Sequence, residues 1–132
     1  MGEATDPRAA PILLVEDNED IATVYGEILE TLGRPVLVAQ DAARALELVE
    51  EVEGRVALVL TDWAMPNMTG TELVRALRRR GLVAPVIVFS GYPAPRGAVE
   101  REGVAAWLLK PLEVEELLAT VERVLGEVAV GQ

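Results

Sequence analysis

The chain has 132 residues, of which 51% are hydrophobic, and it carries a net charge of −10 with no cysteine and no histidine. This length fits one domain. The absence of cysteine and histidine excludes disulfides, thiolate metal sites and a histidine general base. The acidic charge disfavours nucleic acid as a partner, because binding it requires positive side chains that neutralise phosphates. No apolar run approaches the ~20 residues of a membrane span, so we expect no membrane partner and a cytoplasmic location.

Apolar runs alternate with segments of helical periodicity along almost the whole chain. Residues 1–10 are expected to form a flexible lead-in, residues 11–127 a single domain and residues 128–132 a C-terminal tail. The predicted elements are, in chain order, a strand at 12–15, a helix at 21–32, a strand at 35–39, a helix at 41–54, a strand at 56–60, a loop at 62–70, a helix ending near 81, a strand at 85–89, a short helix at about 96–102, a strand at 105–109 and a helix at 114–125.

This alternation predicts an α/β fold of five strand–helix units. Continuous runs of Val, Leu and Ile are typical of strands covered on both faces, which favours a doubly wound parallel sheet with right-handed crossovers. In such open sheets, functional sites form outside the carboxyl ends of the strands. The residues that follow each strand are therefore the candidates for function.

Side chains capable of chemistry stand at the ends of four predicted strands. Glu16 and Asp17 follow the first strand, and Asp62 follows the third. Ser90 follows the fourth strand, and Lys110, the only lysine in the chain, follows the fifth. Because the carboxyl ends of parallel strands share one edge of the sheet, these five residues are predicted to converge there.

Three carboxylates in one crevice repel one another and require a cation. Hard oxygen ligands, without histidine or cysteine, favour Mg²⁺ over Zn²⁺. A carboxylate beside Mg²⁺ can attack phosphorus and form an aspartyl phosphate. The Lys110 ammonium and the Ser90 hydroxyl are suitable donors to the phosphoryl oxygens.

Each of these residues also has an ordinary structural interpretation. Glu16 and Asp17 could cap the first helix, Asp62 could be a turn residue, and Ser90 could bond to its own loop. Lys110 and the proline after it could form an ordinary strand exit. The conjunction of all five at strand ends favours the functional interpretation. For the arginine run at 78–80, a solvated helix C-terminus is favoured over a nucleic-acid patch.

Over residues 11 to 126, the sequence resembles the receiver domains of two-component signalling. Four segments carry the resemblance: Val15-Glu16-Asp17, Thr61-Asp62-Trp63-Ala64-Met65-Pro66-Asn67-Met68-Thr69-Gly70, Phe89-Ser90-Gly91 and Lys110-Pro111. The second segment looks most like the single-domain chemotaxis response regulator. Ser90-Gly91-Tyr92 looks more like the receivers attached to hybrid sensor kinases. As a set, these motifs are far more specific than any one of them.

The resemblance implies a flavodoxin-like sheet with strand order 2-1-3-4-5. It implies that Asp62 is the phosphoacceptor and that Asp17, Asp62 and the backbone carbonyl of Ala64 bind Mg²⁺, with Glu16 assisting through water. Ser90 and Lys110 would hold the phosphoryl group. The implied protein is not an enzyme on other substrates: it catalyses its own phosphorylation and a slow autodephosphorylation.

The resemblance also implies a switch and two kinds of partner. Trp107 falls at the position of the family's switch aromatic, which would act together with Ser90, and the Lys110-Pro111 bond would be cis. A histidine kinase or a histidine phosphotransfer protein would supply the phosphoryl group. A downstream protein would bind the face made by the fourth helix, the fifth strand and the fifth helix.

Some positions depart from the family pattern. Ala64 replaces the asparagine of the chemotaxis protein, and Tyr92 follows Ser90 by two residues; both positions influence the phosphate lifetime. The fourth helix is short, with prolines and glycines around it, which leaves its output surface open. The chain could act alone or be a receiver domain excised from a larger regulator or hybrid kinase.

Three other classes of protein fit the sequence less well than the receiver. A haloacid-dehalogenase-type phosphatase needs an acid where Ala64 stands, and a pseudo-receiver usually lacks one of the key residues, none of which is missing here. A dinucleotide-binding domain would need a glycine-rich turn after the first strand, where Glu16 and Asp17 would repel a pyrophosphate.

Overall fold

The computed structural model describes residues 9–130, and their side chains as far as residue 127. Five strands alternate with five helices along this part of the chain. In order they are β1 (Ile12–Val15), α1 (Glu19–Glu30), β2 (Val36–Ala39), α2 (Ala42–Glu51), β3 (Leu58–Asp62), α3 (Gly70–Arg79), β4 (Val86–Ser90), α4 (Ala98–Glu102), β5 (Ala106–Leu109) and α5 (Val114–Val130).

The strands form one parallel sheet in the order β2-β1-β3-β4-β5, which confirms the flavodoxin-like topology. The register aligns the carboxyl ends of the central strands: Val15 pairs with Thr61, and Asp62 pairs with Phe89. On the other side of β4, Ser90 pairs with Leu109. The strand ends that carry the candidate residues therefore lie side by side.

Two hydrophobic clusters cover the two faces of the sheet. Alternate strand residues such as Val59 and Val88 pack with α2 and α3, and Val99 of α4 lies against this cluster. The other set, with Leu60 and Ile87 among its members, packs with α1 and α5. Because successive side chains of a strand point to opposite faces, an uninterrupted apolar run supplies both clusters.

Polar residues at the helix starts satisfy free backbone amides. The side chain of Asn18 caps α1 by accepting from the Ile21 amide, and Asp41 caps α2, as predicted. Thr69 and Glu72 form a reciprocal capping box at the start of α3. Such caps each stabilise a helix by about 1 kcal/mol. Since Asn18 caps α1, Glu16 and Asp17 are not needed for that role.

The strand boundaries differ from the predicted ones by one or two residues. The third strand, expected at 56–60, begins at Leu58 because Glu53 and Gly54, with φ of 55° and 76°, continue the turn after α2. It extends to Asp62, and β4 extends to Ser90, so both residues are held by strand pairing and not by a loop.

The ends of the chain bear on the predicted domain limits. Helix α5 continues to Val130, past its expected end at residue 125. Residues 1–8 of the predicted lead-in and residues 131–132 of the predicted tail lie outside the described residues.

Candidate functional site

The carboxyl ends of β1 and β3 bring three acids together. Glu16 and Asp17 directly follow β1, and Asp62 is the last residue of β3. One carboxylate oxygen from each of the three lies within 4.8 Å of the others. Asp17 is exposed, whereas Glu16 and Asp62 are 1% and 3% exposed. The site is thus a shallow crevice with one acid at its rim and two at its floor.

Both carboxylate oxygens of Asp62 accept hydrogen bonds. Its Oδ2 accepts a hydrogen bond of 2.7 Å from Lys110 Nζ, which bridges β3 and the end of β5. Its Oδ1 accepts one of 3.2 Å from the backbone amide of Ala64. The ammonium also lies 5.4 Å from the centre of the Phe89 ring. These contacts fix the carboxylate at the bottom of the crevice.

Burial and the contact with Asp62 together set the pKa of Lys110. Partial burial opposes the charged form of Lys110, but the hydrogen bond and the negative charge of Asp62 outweigh it and raise the pKa of the ammonium. Lys110 therefore stays protonated at neutral pH. A permanent positive charge at this point is suited to an anionic ligand.

Glu16 carries the feature that points to a ligand. Its Oε2 accepts a 2.9 Å hydrogen bond from the Asn18 amide, whereas its buried Oε1 has no hydrogen-bond partner within the described part of the chain. Burial, despite that bond, raises its pKa to about 7, and Asp17 and Asp62 contribute. A buried carboxylate oxygen without a partner is costly, and a cation or its bound water would satisfy it. The all-oxygen donor set fits Mg²⁺.

Ser90 lies at the end of β4 and is 3% exposed. Its Oγ accepts a 3.1 Å hydrogen bond from the Tyr92 amide, so the hydroxyl hydrogen remains able to donate. The Tyr92 carbonyl accepts a 2.9 Å bond from the indole Nε1 of Trp107, a half-buried residue of β5. Ser90 thus bonds to its own loop, as its structural interpretation expects, while one donor stays available.

The remaining candidates are placed beside this core. Ala64 lies in the exposed turn after Asp62, where its amide contacts the carboxylate. The Lys110–Pro111 peptide bond is cis, which confirms that prediction. The metal role of Ala64 and the switch role of Trp107 and Pro111 stay predictions.

The sequence interpretation missed the function of Gly70. A Cβ atom at this position would lie 2.7 Å from the Asp62 carbonyl oxygen and 3.0 Å from the Trp63 Cα. The Gly70 amide donates to the Trp63 carbonyl at 2.7 Å, which closes the loop directly beneath Asp62. A glycine at the first position of a helix, where an ordinary helix former is favoured, was the available signal.

The parallel sheet of order 2-1-3-4-5 and the acidic cluster at its carboxyl edge define a flavodoxin-like α/β protein with a candidate metal-binding crevice. Residues 12–122 match the family model described as the response regulator receiver domain. The chain belongs to this receiver family of two-component signal transduction, as its motifs predict. None of the helices in the described residues combines the length and hydropathy that crossing a membrane requires.

Curated relatives include response regulators and sensor kinases. A response regulator receiver protein of Anaeromyxobacter sp. (strain Fw109-5) is 39% identical over 108 residues, which are 80% of this chain and 44% of the relative. The sensor kinase CckA of Brucella abortus is 33% identical over 126 residues, 93% of this chain and 13% of that protein. The chain therefore spans about half, or less, of the length of the curated relatives it matches.

Solved structures show the same fold. The chemotaxis protein CheY4 of Vibrio cholerae is similar with a TM-score of 0.80 and 30% identity, covering 88% of this chain and 98% of that one. The receiver domain of a hybrid histidine kinase CckA has a TM-score of 0.74 and 33% identity, covering 87% and 98%. These two structures correspond to the two kinds of receiver that the sequence motifs resemble.

Proposed function

We propose that Asp62 accepts a phosphoryl group from the phosphohistidine of a histidine kinase or phosphotransfer protein, in a reaction that depends on Mg²⁺. The observation that carries the proposal is the buried Asp62 carboxylate, bonded to Lys110 and within 4.8 Å of two further acids. In the reaction, a carboxylate oxygen of Asp62 forms a bond to phosphorus while the bond from phosphorus to the donor's imidazole nitrogen breaks. The electron pair of that bond leaves with the imidazole.

Glu16, Asp17 and Asp62, together with the Ala64 carbonyl, would hold the metal. When bound, Mg²⁺ neutralises part of the charge on the transferring phosphoryl oxygens. Asp17 lies at the exposed rim, so it can bind a cation that enters from solvent. Glu16 is buried, and its Oε1, which has no hydrogen-bond partner among the described residues, suits contact through a metal-bound water.

Lys110 and Ser90 are the fixed donors of the site. The Lys110 ammonium aligns the Asp62 carboxylate and supplies positive charge where the phosphoryl oxygens arrive. A compact ammonium suits one oxygen at the floor of a crevice better than the planar fork of arginine. Ser90 has one hydroxyl hydrogen to donate, because its contact with Tyr92 uses only a lone pair.

A protein partner would respond to the modified site. Exposed apolar side chains lie close to the ends of β4 and β5: Tyr92 is 77% exposed, Leu109 48% and Val114 49%. They belong to the predicted output face of α4, β5 and α5. A phosphoryl group that draws in Ser90 would disturb the Tyr92 backbone and, through it, the Trp107 contact at the margin of this face.

An enzymatic function on another substrate is less well supported. A phosphatase of the haloacid-dehalogenase type lacks its leaving-group acid, since position 64 is alanine. A groove of about 930 Å³ exists, but it lies at the opposite end of the strands, beside Ala57 and Pro85, and shares no residue with the acidic crevice. The geometry thus favours a phosphoacceptor, acting either alone or joined to kinase or output domains. We propose that it works in the cytoplasm.

The test is intact-mass spectrometry after incubation with acetyl phosphate and Mg²⁺. We expect one phosphoryl adduct on the wild-type chain, none on Asp62→Asn, and the wild-type amount on Asp20→Asn, which alters an exposed acid of α1. An adduct that persists on Asp62→Asn would refute the assignment. Omitting Mg²⁺ should reduce the adduct to the background amount.

A further inference from the structure

Helix α4 is a short element between two glycines. It spans Ala98–Glu102, and its flanking residues Gly97 and Gly103 have φ of 77° and 69°. No side chain caps its N-terminus. A helix of this length has too few hydrogen bonds to be stable alone, and glycine adopts many backbone conformations. The orientation of α4 therefore depends on contacts with its neighbours.

One of those contacts is a bidentate ion pair with α3. Arg75 donates from Nε to Glu102 Oε1 at 2.9 Å and from Nη2 to Oε2 at 2.6 Å. The Glu102 side chain is only 10% exposed, although Arg75 is 57% exposed. Arg101 Nε lies 3.9 Å from the same Oε2. We call the Arg75–Glu102 pair the α3–α4 clamp.

The geometry of the clamp distinguishes it from an ordinary surface pair. Two parallel bonds between a guanidinium and a carboxylate fix orientation as well as distance. The pair between Arg80, the residue that follows α3, and Glu50 of α2 provides a contrast: it has a single contact of 3.2 Å, and its side chains are 45% and 72% exposed. Exposed pairs with a single contact contribute little to stability, whereas a bidentate pair of good geometry can fix the orientation of a helix.

The clamp connects α4 to both loops of the phosphorylation site. Helix α3 begins at Gly70, which abuts the Asp62 and Trp63 backbone. Helix α4 follows the loop that begins after Ser90. Within these loops, Lys110 donates a hydrogen bond to Asp62 Oδ2, and the Tyr92 amide donates one to Ser90 Oγ. The clamp therefore joins the helix that follows the Asp62 loop to the helix that follows the Ser90 loop.

We propose that α4 moves away from α3 when Asp62 is phosphorylated, and that the α3–α4 clamp, which exists only before this movement, sets how easily the domain switches. The proposal rests on the proposed function for its regulatory part. Breaking the clamp frees α4 to move between its two glycines. This lowers the cost of the phosphorylated arrangement, since only the unphosphorylated one loses a contact. We expect faster phosphorylation of Asp62, and we expect the position of α4 to depend less on the phosphoryl group.

The experiment compares wild type with Arg75→Met, Glu102→Gln and the control Arg80→Met, which removes an ion pair between α2 and the residue that follows α3. Hydrogen exchange is measured for residues 97–104 without any phosphoryl donor. We expect exchange there to rise about tenfold in the first two variants, the effect of losing one charge-assisted hydrogen bond, and to stay unchanged in the control. The rate of adduct formation with acetyl phosphate should rise several-fold in the same two variants.

The outcomes separate this inference from the proposed function. Unchanged exchange in Arg75→Met and Glu102→Gln, or an equal rise in Arg80→Met, would overturn the clamp. Raised exchange with an unaltered phosphorylation rate would overturn its regulatory part. If no chain takes up a phosphoryl group while exchange still rises in the two variants, the proposed function fails and the structural role of the clamp is supported.

Discussion

Gly70 illustrates how one residue supports the site without taking part in its chemistry. Its α-carbon faces the backbone of Asp62 and Trp63 so closely that even a methyl group has no room. The two contacts are with main-chain atoms, which cannot rotate away as a flexible side chain could. The close approach lets α3 start directly beside the backbone of Asp62 and Trp63.

We expect Gly70→Ala to destabilise the fold by about 1–3 kcal/mol, the usual cost of overpacking, because the loop or α3 must shift. Urea denaturation measures this. The matched control is Gly126→Ala in α5, where an added Cβ meets nothing within 4 Å and should stabilise the helix by about 0.5–1 kcal/mol. Equal stability of wild type and Gly70→Ala would show that the loop yields easily.

At the scale of elements, α3 is fastened at both ends. Its start carries the capping box of Thr69 and Glu72. At its end, Arg78 Nη1 donates to the carbonyl oxygens of Leu82 and Ala84, both at 2.8 Å. This side chain ties the helix to the turn that leads into β4. The arginine run therefore forms the end of a helix, in which Arg78 bonds to backbone carbonyls while Arg79 is exposed.

We predict that Arg78→Met lowers the free energy of unfolding by about 1–3 kcal/mol, because two carbonyls lose a charged donor. The neighbouring Arg79 is exposed, so Arg79→Met should change stability by less than about 0.5 kcal/mol. Thermal or urea denaturation of both variants gives the comparison. Equal losses would mean that helix propensity and charge, not the two hydrogen bonds, account for the effect.

For the molecule as a whole, we expect the net charge of −10 and the three clustered acids to make stability depend on cations. An ion that binds the folded chain and not the unfolded one stabilises it by RT ln(1 + [L]/Kd), or about 1.4 kcal/mol at a tenfold excess over Kd. We predict that Mg²⁺ raises the unfolding temperature in this way, and that Asp17→Asn largely removes the response. The control Glu122→Gln alters an exposed acid within α5.

Choline chloride at matched ionic strength separates site binding from general screening in this measurement. If it raises the unfolding temperature as much as Mg²⁺ does, or if Asp17→Asn responds like wild type, the stabilisation comes from screening and not from the acidic crevice.

The sequence by itself determined the order of elements, the parallel sheet and the edge where the site forms. Uninterrupted apolar runs require cover on both faces, and a parallel sheet places all carboxyl ends at one edge, so Asp17, Asp62, Ser90 and Lys110 could be grouped from position alone. The single lysine among arginines and the strand-end acids were signals of residue type, which need no coordinates.

The tertiary structure alone decided how these residues meet and what supports them. The pairing of Lys110 with Asp62, the lone Oε1 of Glu16 and the closeness of Gly70 to Asp62 depend on the register and packing of separate elements. So does the clamp between Arg75 and Glu102, which are 27 positions apart in the chain. Such contacts require helices and strands to be positioned to within a few tenths of an ångström. Periodicity in a sequence specifies which face of an element is buried, and not the distances between elements.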